Sequence, residues 1–316
     1  GDNMNNQKKQ LIALLRSAKP DEIQKILENN PLAKDCLNIH SLGFPTYYKC
    51  VTTLHPEYSP TTLTEMQSQL NHIYQQYKNN IISETNARAN LAILALNNSN
   101  LKLYKECLDK KLLSEDCDKF CKSQYDFAKV FLTIRKAYKD YKDKDKDSDR
   151  TELLNLFKSE YHKKLIHSCL TSNYLPTSVV NFVNSISPSS FKEYLEQTTK
   201  DQKTAIKTLL VRNIETYTTP KELYESLDKL FQDPTSERLV QKCFKELDPE
   251  SQKKYINNVL IYFSKSKKPE DIERFERLNP DLFNKCLSSS PPNIKKAVAK
   301  IVRPDESLIK SKSNEM

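Results

Sequence analysis

Apolar residues recur along this chain at helical spacing. Leu11, Ile12, Leu14 and Leu15 form one face, Leu209, Leu210 and Ile214 another, and Val259, Leu260 and Phe263 a third. Sustained period-two alternation is missing, as are the Asn-Gly and Asp-Gly pairs that close hairpins. The pattern predicts an all-α chain of roughly fifteen or more short helices. Prolines mark where those helices begin. Asn30-Pro31, Ser59-Pro60, Ser187-Pro188, Thr219-Pro220, Asp233-Pro234, Asp248-Pro249 and Asn279-Pro280 each place Pro after a good N-cap residue. Thr219 and Glu222 have the spacing of a capping box.

The prolines also align with one another. Pro20-Asp-Glu-Ile23, Asn30-Pro31 and Cys36-Leu37 match Pro269-Glu-Asp-Ile272, Asn279-Pro280 and Cys286-Leu287. Pro220-Lys-Glu-Leu223, Asp233-Pro234 and Cys243-Phe244 form a third copy, and the stretch from Pro176 to Leu195 a weaker one. Pro176, Pro220 and Pro269 stand 44 and 49 residues apart. Such a period predicts an α-solenoid-like stack of helical repeats of about 45 residues, with a HEAT/armadillo-like layout but neither consensus.

Residues 42–175 fit the repeat poorly and read as longer helices near 63–77, 84–96, 126–141 and 152–169. The charged run at 139–150 alternates sign without apolar anchors, which marks a loop or helix extension. The expected organisation is an N-terminal helical region at 1–140, that charged stretch, a repeat array at 151–303 and a flexible tail at 304–316.

Composition narrows the chemistry. The 316 residues include 2 glycines, Gly1 and Gly43, too few for a dinucleotide turn, a phosphate loop, a kinase Gly-rich loop or a nucleophile elbow. Net charge is +9, with both signs interspersed, so no nucleic-acid stripe is evident by eye. The longest apolar run, residues 89–96, is too short to span a bilayer, and no secretory signal peptide is recognisable. The expected location is therefore cytosolic. The 8 cysteines read as reduced thiols packed as small hydrophobes.

Three groups carry candidate chemistry. Cys36, His40, Cys50 and His55 have spacings that can close a zinc site. Cys36 also aligns with Cys243 and Cys286, which have no His nearby, so it reads equally as a core position. The chain is expected to hold no metal and no cofactor, with the four-residue set as the alternative. Phe44, Tyr47 and Tyr48, around a Pro in an expected loop, make a partner-binding knob or the packed end of a helical stack. Cys117 and Cys121, four apart, share a helical face as a metal or redox pair or as packed thiols.

In its Lys- and Asn-rich, Gly-poor, helical character, and in the polar tail 307–316 (SLIKSKSNEM), the chain resembles secreted effectors of intracellular bacteria of the Legionella and Coxiella type IV kind. The resemblance is compositional and matches no motif. It implies delivery into a host cytosol and a host protein as partner. The functional expectation is a non-enzymatic protein–protein interaction module or adaptor. A Cys-dependent hydrolase or transferase, and nucleic-acid binding through a basic surface, are the alternatives.

Overall fold

The regular structure is helical throughout the described residues, with no strand among them. The computed structural model describes residues 2–97, 100–143, 150–171, 174–231, 236–265 and 272–302. The tail expected from 304 onward, the run 144–149 and the prolines at 234 and 269 lie outside them. In chain order the helices are α1 (Asp2–Ser17), α2 (Pro20–Asn29), α3 (Pro31–Cys36), α4 (Ile39–Leu42), α5 (Phe44–Leu54), α6 (Leu63–Lys78), α7 (Glu84–Leu96), α8 (Leu101–Asp109), α9 (Glu115–Asp143) and α10 (Arg150–Leu156). They continue with α11 (Glu160–Thr171), α12 (Thr177–Ile186), α13 (Ser189–Thr216), α14 (Pro220–Phe231), α15 (Glu237–Lys245), α16 (Pro249–Lys265), α17 (Ile272–Glu276), α18 (Pro280–Ser289) and α19 (Pro292–Val302).

Proline and short polar side chains set many of these boundaries. Pro20, Pro31, Pro220, Pro249, Pro280 and Pro292 each open a helix, where a missing N–H costs nothing. Asn279 Oδ1 accepts from the Leu282 amide, and Asp248 Oδ1 accepts from the Ser251 amide at 2.8 Å. Thr219 Oγ1 accepts from the Glu222 amide, while the Glu222 carboxylate reaches Thr218 rather than the cap residue itself. Asn30 departs from expectation. Its side chain caps nothing ahead and donates back to the Ile26 carbonyl, so it closes α2 rather than opening α3. Pro60 also opens no helix, because α6 is capped two residues later by Thr62.

The chain divides into two compact units, Gln10–Tyr194 and Gly1–Lys9 with Leu195–Met316. In the first, α7 is the innermost helix. Ala87 and every residue from Ala89 to Ala95 are buried, so α7 is apolar around almost its whole circumference. α6, α8 and α9 pack on it, and α5 and α4 touch it as well. The 29-residue α9 runs beside α7 and also carries α6, α8, α10, α11 and α12. It is longer than the expected 126–141, and the helix expected at 152–169 breaks near Phe157 into α10 and α11.

In the second unit α16 is central. It packs against α14, α17, α18 and α19 around Leu223, Leu227, Phe231, Tyr255, Val259, Leu260, Phe263 and Phe275. The buried Tyr255 hydroxyl donates to the Leu210 carbonyl of α13 at 2.5 Å, which satisfies a polar group that burial would otherwise strand. No described helix is long and apolar enough to cross a membrane.

Truncating the innermost helix should be costly. Leu91→Ala and Leu94→Ala, at fully buried positions, should each lower unfolding free energy by about 2–5 kcal/mol. Ile81→Ala, at a side chain 68% exposed, should change it by less than about 0.5 kcal/mol. Urea unfolding followed by circular dichroism measures both; equal effects would contradict the placement of α7.

Candidate functional site: a cationic face on the longest helix

Between residues 119 and 142, α9 carries seven cations, Lys119, Lys122, Lys129, Arg135, Lys136, Lys139 and Lys142, against two anions, Asp126 and Asp140. All seven cations are exposed. The opposite side of the helix explains why. Phe127, Val130, Phe131, Ile134 and Ala137 are buried against neighbouring helices, so the lysines are what remains to face water. Lys122, Lys129 and Lys136 are spaced by seven, two helical turns, and line up in one stripe about 10.5 Å apart per step. The stripe from Lys122 to Lys136 is about 21 Å long.

Few local partners neutralise it. Among the described residues, no salt bridge joins Lys122, Lys129, Lys136 or Lys139 to a carboxylate. Asp126 is engaged elsewhere, accepting from the Tyr161 hydroxyl of α11 at 2.6 Å. Burial, and then that carboxylate, push the Tyr161 phenol up to about 12. The Arg135 guanidinium lies over the Phe131 ring at 5.6 Å, and Lys142 over Tyr138 at 5.4 Å, contacts that leave both charges in place. Steps of about 10 Å exceed the roughly 8 Å Debye length at physiological salt, so Lys122, Lys129 and Lys136 repel one another weakly. One exposed apolar group, Leu132, 39% exposed, sits among the charges, whereas Tyr141, 51% exposed, falls at the helical phase of the buried Ile134 and Ala137. Tyr141 stacks on Phe182 of α12, with the Arg150 guanidinium 5.2 Å away.

The aromatic knob expected at Phe44, Tyr47 and Tyr48 is not what this segment forms. Gly43, at φ 78°, ends α4 and leads directly into α5, so the Gly and Pro that read as a loop are a helix junction. Phe44 is buried, stacked on Tyr174 at 5.0 Å and against Phe131. The Tyr47 hydroxyl is buried and donates to Asn90 Oδ1 on α7 at 2.7 Å, and burial holds its phenol well above the usual range. Tyr48 is half-buried and donates to Asn97 Oδ1. A knob needs rings free to enter a partner, and these face the interior because α7 supplies both apolar surface and amide acceptors.

The zinc spacing of Cys36, His40, Cys50 and His55 is not gathered into a site either. Among the described residues, no group of three or more His, Cys, Asp or Glu is placed to hold a metal. His55 Nδ1 lies 3.0 Å from Glu57 Oε1, and its ring stacks on Tyr58. Cys36 and Cys50 are buried, as are all eight cysteines, and none is disulfide-bonded. Burial raises the Cys50 and Cys169 thiols, as expected of inert core sulfur. Comparison with protein-family models, with curated proteins and with solved structures returned no match.

The stripe was present in the sequence as Lys122, Lys129 and Lys136, but 50 cations spread over the chain concealed it until the helix phase was known. The knob is tested by stability: Phe44→Ala should cost about 3–5 kcal/mol in a chemical-denaturation experiment. A loss below about 0.5 kcal/mol would restore the surface reading.

Proposed function

We propose that the chain is a non-enzymatic interaction module whose α9 face binds an acidic helical segment of a partner protein. The observation that carries this reading is the exposed lysine heptad, for which no ion pair exists among the described residues. A partner helix with carboxylates at the same seven-residue period would meet it charge for charge. Leu132 among the cations supplies an apolar anchor of the kind protein interfaces use. This favours a protein over a nucleic acid, whose phosphates offer no apolar counterpart to Leu132. The Lys- and Asn-rich, glycine-poor composition supports setting that partner in a host cytosol, as for the bacterial effectors the chain resembles.

The helical-repeat layout belongs to the same proposal. Its support is the recurrence of equivalent residues at equivalent places. Ile23, Leu223 and Ile272 are buried near helix starts, and Cys36, Cys243 and Cys286 are buried near the ends of α3, α15 and α18. Repetition of that kind displays helix faces for binding rather than building one catalytic centre.

Binding of fluorescent poly-L-glutamate should weaken steeply with salt and fall at least tenfold when Lys122, Lys129 and Lys136 are all replaced by Glu. Reversing three exposed lysines elsewhere, Lys25, Lys34 and Lys295, should leave most of it intact. Equal losses from both triples would reduce the stripe to bulk charge. Tighter, stripe-dependent binding of single-stranded RNA than of polyglutamate would replace the protein partner with a nucleic acid.

A further inference from the structure

We propose that Cys117 and Cys121, on the first turns of α9, form a dithiolate site for a soft, two-coordinate cation of the copper(I) class. Their sulfurs lie 3.9 Å apart. The four-residue helical offset sets this geometry. It holds the two Cβ atoms about 5–6 Å apart, wider than the roughly 3.5–4.5 Å that a disulfide needs. Closing an S–S bond would therefore distort the helix. A metal does not have that difficulty, because two bonds of about 2.3 Å, the length of a zinc–thiolate bond, reach across 3.9 Å with a bent angle that small χ1 rotations can open.

The surroundings select the kind of cation. No third His, Cys, Asp or Glu joins the pair, as no larger metal-holding group exists among the described residues. Zinc wants four ligands in a closed tetrahedral set. Thiolates alone favour soft ions, and copper(I) accepts two. Binding replaces two S–H bonds by two S–Cu bonds and releases two protons to solvent. The product, two thiolates and one monovalent cation, carries one net negative charge.

The helix accommodates that charge. Cys117 is the third residue of α9, where free backbone N–H groups and the helix dipole favour negative charge. Asn71 Oδ1 of α6 lies 3.6 Å from the Cys117 sulfur, and turning that amide over would direct its NH2 at a thiolate. The Tyr104 hydroxyl donates to the Cys121 carbonyl at 2.5 Å and fixes the second turn. Both sulfurs are buried, yet the exposed Ser114, Glu115 and Asp116 precede Cys117. Fraying of the first turn gives a cation a short way in, past two carboxylates that attract it.

The test uses the full chain, copper(I) kept reduced by ascorbate without oxygen, and a chromophoric copper(I) chelator as competitor. The intact protein should retain one equivalent of copper after desalting. Cys117→Ser and Cys121→Ser should each lower affinity at least tenfold, and Cys169→Ser, at a buried thiol on α11, should not. Copper should also protect Cys117 and Cys121 together from iodoacetamide in mild denaturant, read by peptide mass spectrometry on the unmutated chain, a measurement independent of how the variants fold. Loss of all copper to the chelator, or protection spread evenly over eight thiols, overturns the proposal. A disulfide between the two on mild oxidation, with no copper retention, overturns it in favour of a redox pair.

Discussion

Helix α7 has almost no face to give to water. With Ala87 and the run from Ala89 to Ala95 buried, it must be covered on all sides, and that requirement organises the unit from Gln10 to Tyr194. Its alanines let neighbouring helices approach closely, while Leu91, Ile93 and Leu94 fill the space between them. The few polar groups brought in are matched: Asn90 on α7 receives the Tyr47 hydroxyl, and Asn97, just past its end, receives Tyr48 and donates to the Tyr58 carbonyl. The aromatic cluster of α5 is interior for this reason, and the same covering requirement fixes where α9 lies.

The position of α9 then decides what is displayed. A helix of 29 residues that packs one side along α7, α8 and α11 has to leave its lysines outward, and the phase of that packing turns a dispersed positive charge into a stripe. Net charge of +9 describes the whole surface, whereas a partner meets the local density of α9, seven cations against two anions over 24 residues.

Much of the architecture was legible in the sequence, and the failures share a cause. The all-helical reading, the Pro-started helices at Pro31, Pro220, Pro249 and Pro280, and the boundaries of α6 and α7 followed from local chemistry, namely periodicity and capping. Gly43 and Pro45 misled because the same residues that make a loop also make a tight helix junction, and only the tertiary demand of α7 decides which. Asn30 misled likewise, since an Asn before Pro can cap forward or backward. The zinc spacing misled because sequence separation does not say whether four side chains converge. The lysine heptad was visible but uninformative until packing revealed which side of α9 is inner.

The cysteines illustrate the same distinction at the scale of single atoms. All eight are buried, and composition alone made them equivalent. Cys36, Cys243 and Cys286 are buried near the ends of α3, α15 and α18, and burial raises the Cys243 and Cys286 thiols. Cys117 and Cys121 differ because α9 places one sulfur above the other near its positive end, with Asn71 opposite. That end lies just before Lys122, where the cationic stripe begins. Ordering the first turns of α9 would therefore also order the first lysine of the stripe, so the dithiol and the lysine face, although chemically unrelated, are mechanically one element. Replacing a thiol by Ser tests the first without removing any charge from the second.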